Sequence, residues 1–218
     1  MKYDQHFIID FDVAKKIGSF LAIKDNEKVL EIGPGKGILT QFLKGNVTVI
    51  EIDKNLCEEL KEKFPKINVT NANMLECNGS YDKIISNVPY SICEPLMNKL
   101  IKMTFKEAVL IVPDKFMEKG VLSLVMSHFF NIKKFMEVNN TALYPIPKRK
   151  SKVVLIEHKK LNEKEEFFEM IYVQSDKKLG NVLKAEIDVK KLNLEFLEKR
   201  IYQLNYNEWK EVVNIIGL

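Results

Sequence analysis

The sequence predicts an α/β fold whose sheet is mostly parallel and closed by an antiparallel hairpin, followed by a small helical domain. Three observations carry this. Between Lys28 and Phe130 short β-rich runs alternate with helical patterns, the signature of parallel strands joined by crossovers. Two further β-rich runs, Lys133–Val138 and Lys152–Glu157, come next with no helical pattern between them, as a closing hairpin requires. After Lys160 the strand patterns stop and amphipathic helical spacing takes over.

In order, Asp12–Ile23 places Val13, Ile17, Phe20 and Leu21 at helical spacing behind a candidate cap, Asp12. Lys28–Ile32 reads as the first sheet strand, Ile38–Lys44 as a helix, Val47–Ile52 as a strand, and Asn55–Phe64 as a helix ended by Pro65. Strands are expected at Ile67–Thr70 and Tyr81–Ser86, a helix at Cys93–Met103, a strand at Ala108–Val112 and a helix at Val121–Phe130. The tail offers helical patterns at Glu163–Val173, Lys177–Lys184, Glu195–Ile201 and Asn207–Ile216. A domain boundary is expected near residue 160, giving domains 1–160 and 161–218.

A chain of 218 residues can bury one full core and a smaller appendage. Cys57, Cys77 and Cys93 are an odd, scattered set and read as reduced thiols. His6, His128 and His158 are equally scattered, so no metal site is expected. The N-terminus has no signal-peptide pattern, and no apolar run reaches the ~18 residues of a membrane span. A cytoplasmic protein with no membrane contact is the expectation. The net charge is only +4, but the positive charge is nearly all lysine, with Arg149 and Arg200 the only arginines. That balance suits a polyanion without proving one.

Glu31-Ile32-Gly33-Pro34-Gly35-Lys36-Gly37 joins the first sheet strand to the next helical pattern, and its glycines let a ligand approach the backbone. The G-x-G-x-x-G dinucleotide fingerprint fails, since the sixth position is Ile38 counted from Gly33 and Thr40 counted from Gly35. The E-x-G-x-G-x-G form suits S-adenosylmethionine, which has no pyrophosphate. Glu51, at the end of the second sheet strand, would accept both ribose hydroxyls. Asp53 equally well caps the helix that begins at Asn55.

Asn87-Val88-Pro89-Tyr90 directly succeeds the fourth sheet strand, at the edge where open α/β sheets place their chemistry. An isolated Asn-Val-Pro-Tyr is ordinarily a proline turn; its position after this strand favours a site. Adenine's amino lone pair is delocalised into the ring, so methylating it needs acceptors that hold the amino protons and aim the lone pair. The Asn87 side chain and the Val88 or Pro89 carbonyl could do this, with positioning worth about 7–11 kcal/mol at best. Tyr90 would stack on the base, which must leave its own stack to enter.

With these residues in view, the chain resembles the ribosomal RNA small-subunit adenine-N6,N6-dimethyltransferase family, nearly end to end. Gln5-His6-Phe7-Ile8 is similar to its Q-N-F-L entry, Glu31–Gly37 and Glu51-Ile52-Asp53 to its first two motifs, and Asn87–Tyr90 to its N-L-P-Y. Tyr144-Pro145-Ile146-Pro147 resembles its F-x-P-x-P loop, Phe167–Leu183 its F-x-x-R-R-K-x-L-R-N-x-L segment, and Arg200–Trp209 its final L-S-x-x-E-aromatic stretch. The resemblance implies a Rossmann-like class I methyltransferase sheet, S-adenosyl-L-methionine as cofactor, and cofactor contacts at His6, Ile8, Gly33, Glu51, Asn73 and Asn87, beside Gly35 of the glycine loop. It implies N6-methylation of adenosines in small-subunit rRNA on a pre-ribosomal particle, by a monomer whose tail contacts RNA.

The chain departs from that pattern at His6, for Asn, and at Asn73, for an Asp that binds the cofactor's adenine. It lacks E-V-A-x-R-L after Asp114, is deleted around Lys119-Gly120, carries Lys148-Arg149-Lys150-Ser151 for K-V-D-S, and has a short helical domain. Lys148, Arg149, Lys150 and Lys152 beside Tyr144 form the candidate RNA surface, supplying affinity rather than sequence choice. Two other readings stay open: methylation of another RNA such as large-subunit rRNA, and a ribosome-assembly binding factor with weakened catalysis.

Overall fold

The computed structural model describes residues 6–184, 187–189 and 195–218, so Gln5 of the Q-H-F-I entry lies outside the described residues. These residues form two compact units: one runs to Phe116 and includes Phe130–His158, and the other comprises Met117–Phe129 and the chain from Lys159 onward. The helical unit thus takes in the helix Gly120–Phe129 as well as the tail.

In the first unit the strands are β1 (Phe7–Ile8), β2 (Lys28–Ile32), β3 (Asn46–Glu51), β4 (Asn68–Asn71), β5 (Lys83–Asn87), β6 (Glu107–Pro113), β7 (Phe130–Val138), β8 (Leu143–Tyr144) and β9 (Ser151–His158). Among the described residues seven of them form one sheet in the order β4-β3-β2-β5-β6-β9-β7. All neighbours are parallel until β9, which runs antiparallel to β6 on one side and β7 on the other. The expected hairpin therefore closes the sheet, with its second strand inserted inside the first. Chain order reverses between β2 and β5, which is where open α/β sheets leave a crevice beyond the strand ends.

The central strands β2, β5 and β6 are buried on both faces, in runs of consecutive residues. Ile85, Val109, Ile111 and Val153 on one face pack with Ala14 and Ile17 of α1 (Phe11–Ser19) and with Leu21 just after it. The sheet is further flanked by α2 (Lys54–Lys63) and by α3 (Cys93–Ile101), which buries Leu96, Met97 and Leu100 completely.

Some expectations need correction. The helix expected at Ile38–Lys44 is a run of turns ending in one 3₁₀ turn, Thr40–Phe42. Positive-φ glycines at Gly37 and Gly45 bracket it, leaving too few residues to repay helix nucleation. The Thr40 hydroxyl meanwhile bonds Glu31 instead of the helix backbone. The cap of α1 is Asp10, not Asp12: its Oδ1 accepts from Val13 N at 3.0 Å, placing Asp12 in the first turn. The helix expected at Glu195–Ile201 is a 3₁₀ turn, Glu195–Glu198, with another at Ile201–Gln203.

The helical unit contains α4 (Gly120–Phe129), α5 (Glu163–Val173), α6 (Leu179–Leu183) and α7 (Tyr206–Ile216). Capping boxes start α5, through Asn162 and Glu165, and α7, through Asn205 and Glu208. Phe168 lies at its centre, edge-on to Trp209 with centroids 5.6 Å apart and tilted against Phe129 at 5.5 Å.

Candidate active site

The ends of β2, β3 and β5 face a cavity of about 300 Å³. Each end is tied down by its own sequence. The Ser86 hydroxyl donates to the Ile32 carbonyl at 2.8 Å, locking β5 to β2 beneath the cavity. Asn71 Nδ2 donates to the carbonyls of Glu51 and Ile52 at 2.9 and 3.1 Å, fixing the end of β3.

Glu51 is 3% exposed, yet it lines the cavity. Gly35 N donates to its Oε2 at 3.1 Å and Asp53 N to its Oε1 at 3.0 Å. A carboxylate accepts about four hydrogen bonds, so two backbone donors orient it and leave capacity for two more. Asp53 caps α2, its Oδ1 accepting from Asn55 N at 2.9 Å. Gly33 has φ +63°, and a Cβ added there would point into open space within the cavity lining; at Gly35 a Cβ would come within 2.7 Å of the Phe7 ring. The glycines therefore keep room for a ligand and for Phe7, respectively.

Glu31, in the same loop, is 1% exposed, and burial pushes its carboxyl up to about 8. The Thr40 hydroxyl, donating at 2.6 Å, opposes that shift in part, while the nearby Glu51 charge adds to it. At neutral pH Glu31 is thus mostly a neutral acid.

At the end of β5 Asn87 donates its amide nitrogen to the His6 carbonyl at 2.6 Å. Only the NH₂ end can serve a carbonyl, so the side-chain oxygen is the end left to accept from a ligand. The Pro89 carbonyl accepts from Ile92 N at 3.0 Å and Cys93 Sγ at 3.6 Å, so it serves the turn after the strand. Tyr90 is tilted against the His6 ring at 5.4 Å, and its hydroxyl lies 2.7 Å from Ser151 Oγ. His6 is anchored in turn through Nδ1, 2.6 Å from the Pro145 carbonyl.

Of the residues expected from sequence, His6, Gly33, Gly35, Glu51, Asn73, Asn87, Pro89 and Tyr90 line this one cavity. Asn73 is held twice, accepting from Leu75 N at 3.1 Å and donating to Glu76 at 2.9 Å. Ile8 instead pairs with Leu143 and lines a second, smaller cavity, as does Tyr144, which is 62% exposed. Lys148, Arg149 and Lys150 are exposed, whereas Lys152 is buried. Sequence reading missed Leu143, Ala72, Met74 and Ile92 as cavity lining and Ser151 as the partner of Tyr90. Only the position of Leu143 inside the Tyr144 loop could have hinted at any of them. No group of three or more potential metal ligands is found among the described residues, and none of their helices is long and apolar enough to cross a membrane.

Comparison with known proteins gives the same outline. The model of the ribosomal RNA adenine dimethylase family matches residues 1–216. A ribosomal RNA small subunit methyltransferase A from Mycoplasma mobile is 36% identical, covering 94% of this chain and 93% of its own. Among solved structures, a dimethyladenosine transferase from Plasmodium falciparum superposes with a TM-score of 0.67 at 23% identity, covering 97% of this chain and 98% of its own. The 23S rRNA methyltransferase ErmE reaches the same TM-score at 19% identity, covering 97% and 100%; these two likenesses concern the fold. With a family model spanning nearly its whole length and a relative this similar, the chain belongs to the ribosomal RNA adenine dimethylase family.

Proposed function

We propose that the protein transfers methyl groups from S-adenosyl-L-methionine to N6 of adenosines in small-subunit rRNA, to the dimethyl stage, on a pre-ribosomal particle in the cytoplasm. The observation that carries this is the Asn87 side chain, whose nitrogen is committed to the His6 carbonyl, leaving an oxygen to accept an amino proton. The cofactor supplies an electrophilic methyl group. The residues present fit it: a buried carboxylate with capacity for two hydroxyls at Glu51, backbone opened at Gly33, and largely apolar walls of suitable volume.

The chain's own part is positional. Glu51 would accept hydrogen bonds from the ribose hydroxyls, and Asn73 would help to hold the adenine. Asn87 accepts from the target amino group and so directs its lone pair at the methyl carbon. Tyr90, held at both its ring and its hydroxyl, presents a face for the flipped base. Pro89 shapes the wall between them, while Lys148, Arg149 and Lys150 neutralise phosphates outside the pocket.

The test is nucleoside mass spectrometry of small-subunit particles incubated with protein and isotopically labelled cofactor. Label is expected in N6-methylated and N6,N6-dimethylated adenosine with the parent. With Asn87→Ala, transfer in a single turnover should fall about 100-fold or more. Particles bound by protein and cofactor but left unlabelled would refute the enzyme.

A further inference from the structure

Among the described residues three asparagine caps are followed by a glutamate three positions on: Asn73 by Glu76, Asn162 by Glu165 and Asn205 by Glu208. In the latter two the glutamate accepts from the cap's own backbone N–H, at 3.0 and 2.9 Å, as a capping box does. The turn at Met74–Glu76 is wired differently. Asn73 Oδ1 accepts from Leu75 N at 3.1 Å, as a cap should, but Glu76 Oε1 accepts from the side-chain nitrogen, Nδ2, at 2.9 Å. The turn does not depend on that bond, since the Asn73 carbonyl accepts from Glu76 N at 3.0 Å and from Cys77 Sγ at 3.3 Å. What the bond fixes is the amide.

Turning the amide over would set its nitrogen against the Leu75 N–H and its oxygen against the Glu76 carboxylate, so both partners oppose the flip. Asn73 lines the main cavity with Ile52, Ala72 and Met74. Its nitrogen is drawn to Glu76, which leaves the second lone pair of the oxygen to accept from a ligand, and a carboxylate on Nδ2 polarises that oxygen further. The same carboxylate accounts for the residue type, Asn where the family pattern has Asp. An aspartate at 73 would bring a second carboxylate to where Nδ2 and Oε1 now lie 2.9 Å apart, and two carboxylates that close repel. We propose that Glu76 is a positioning residue for the cofactor's base, holding the Asn73 oxygen toward the adenine 6-amino group so that the pair replaces a lone aspartate. This rests on the reading of the main cavity as an S-adenosylmethionine site.

The probes are S-adenosylhomocysteine and S-inosylhomocysteine, in which a 6-oxo acceptor replaces the 6-amino donor, each titrated calorimetrically into the parent and its folded variants. The parent should prefer the adenosyl ligand by about tenfold or more, the worth of one such hydrogen bond. Glu76→Ala should lose about threefold to tenfold in adenosyl affinity together with most of the preference. Glu76→Gln, whose carbonyl still accepts from Nδ2, should fall between the two. Asn73→Asp should bind the adenosyl ligand about tenfold more weakly than the parent. Adding Glu76→Gln to it, so that position 76 donates to the new carboxylate, should restore the parent's affinity. A glutamate that served the turn alone would lower the Tm of Glu76→Ala and leave the adenosyl-to-inosyl ratio unchanged, which would overturn the proposal. Asn73→Asp binding as tightly as the parent would overturn it equally. A parent that binds neither ligand would remove the cofactor reading of the cavity and this pairing with it.

Discussion

Glu31 and Glu51 are buried carboxyls held by backbone and hydroxyl donors at strand ends, whereas Lys148, Arg149 and Lys150 are exposed cations on a loop. The first region can recognise a small ligand only because each oxygen has a fixed direction. The second needs no such precision, since a phosphate backbone offers charge everywhere along its length. Tyr90 joins them, reaching from the strand end of β5 to Ser151 and, at 3.4 Å, to the Arg149 carbonyl. The contrast teaches that direction is built with burial and affinity with exposure, and that changes in the two regions should fail in different assays.

The sharpest way to break this contrast is Glu51→Ala. Two charge-assisted bonds to the ribose, at about 1.5–3 kcal/mol each, disappear, and the Gly35 and Asp53 amides lose their acceptor. Cofactor affinity by calorimetry should drop about 100-fold or more, with RNA binding retained. An unaltered cofactor affinity in the folded variant would remove Glu51 from the site.

Glu31→Gln probes the other buried carboxyl through stability. The folded-state value of about 8 lies above the ordinary 4.5, so between these pH values the folded chain keeps a proton that the unfolded chain releases. Stability from this group is therefore full below pH 4.5 and is lost as pH rises toward 8, by up to about 1.4 kcal/mol per pH unit. Urea midpoints measured from pH 5 to 8 should fall more steeply for the parent than for Glu31→Gln, whose amide carbonyl still accepts from Thr40. Equal slopes would mean that Glu31 is ionised in the fold.

The mildest effect is expected on the exposed side. Replacing Lys148, Arg149 and Lys150 together by Ala should flatten the salt dependence of RNA binding by about 0.7 log unit per lost phosphate contact. Cofactor binding should not move. A salt slope equal to the parent's would leave these cations merely solvated.

The same contrast explains what was legible in the sequence. Gly33, Glu51 and Asn87 could be read because strand ends impose residue types locally: a glycine where backbone must stay open, an acceptor where a strand stops. The 3₁₀ turn at Thr40–Phe42 was misread as a helix because Ile38, Leu39 and Phe42 carry helical spacing, while the restraint is Thr40 bonding to Glu31. The β1–β8 ribbon, Leu143 in the cavity wall and Ser151 beside Tyr90 depend on partners 61 to 137 residues away, and no local pattern announces them. The placement of α4 with the tail is hidden for the same reason, since its spacing fits a crossover helix equally well.

The anchoring of His6 on the Pro145 carbonyl, across 139 residues, sets an order of assembly as the chain leaves the ribosome. The acidic and glycine-bearing strand ends can be in place once β5 has emerged. Asn87 can meet the His6 carbonyl at that stage, but His6 and Tyr90 acquire their own partners only after the segment from Pro145 to Ser151 returns across the sheet. Long-range closures of this kind are slow relative to local ones. A nascent chain stalled before Pro145 would therefore carry the groups assigned to the cofactor with His6 and Tyr90 unbraced, so this side of the cavity is finished last.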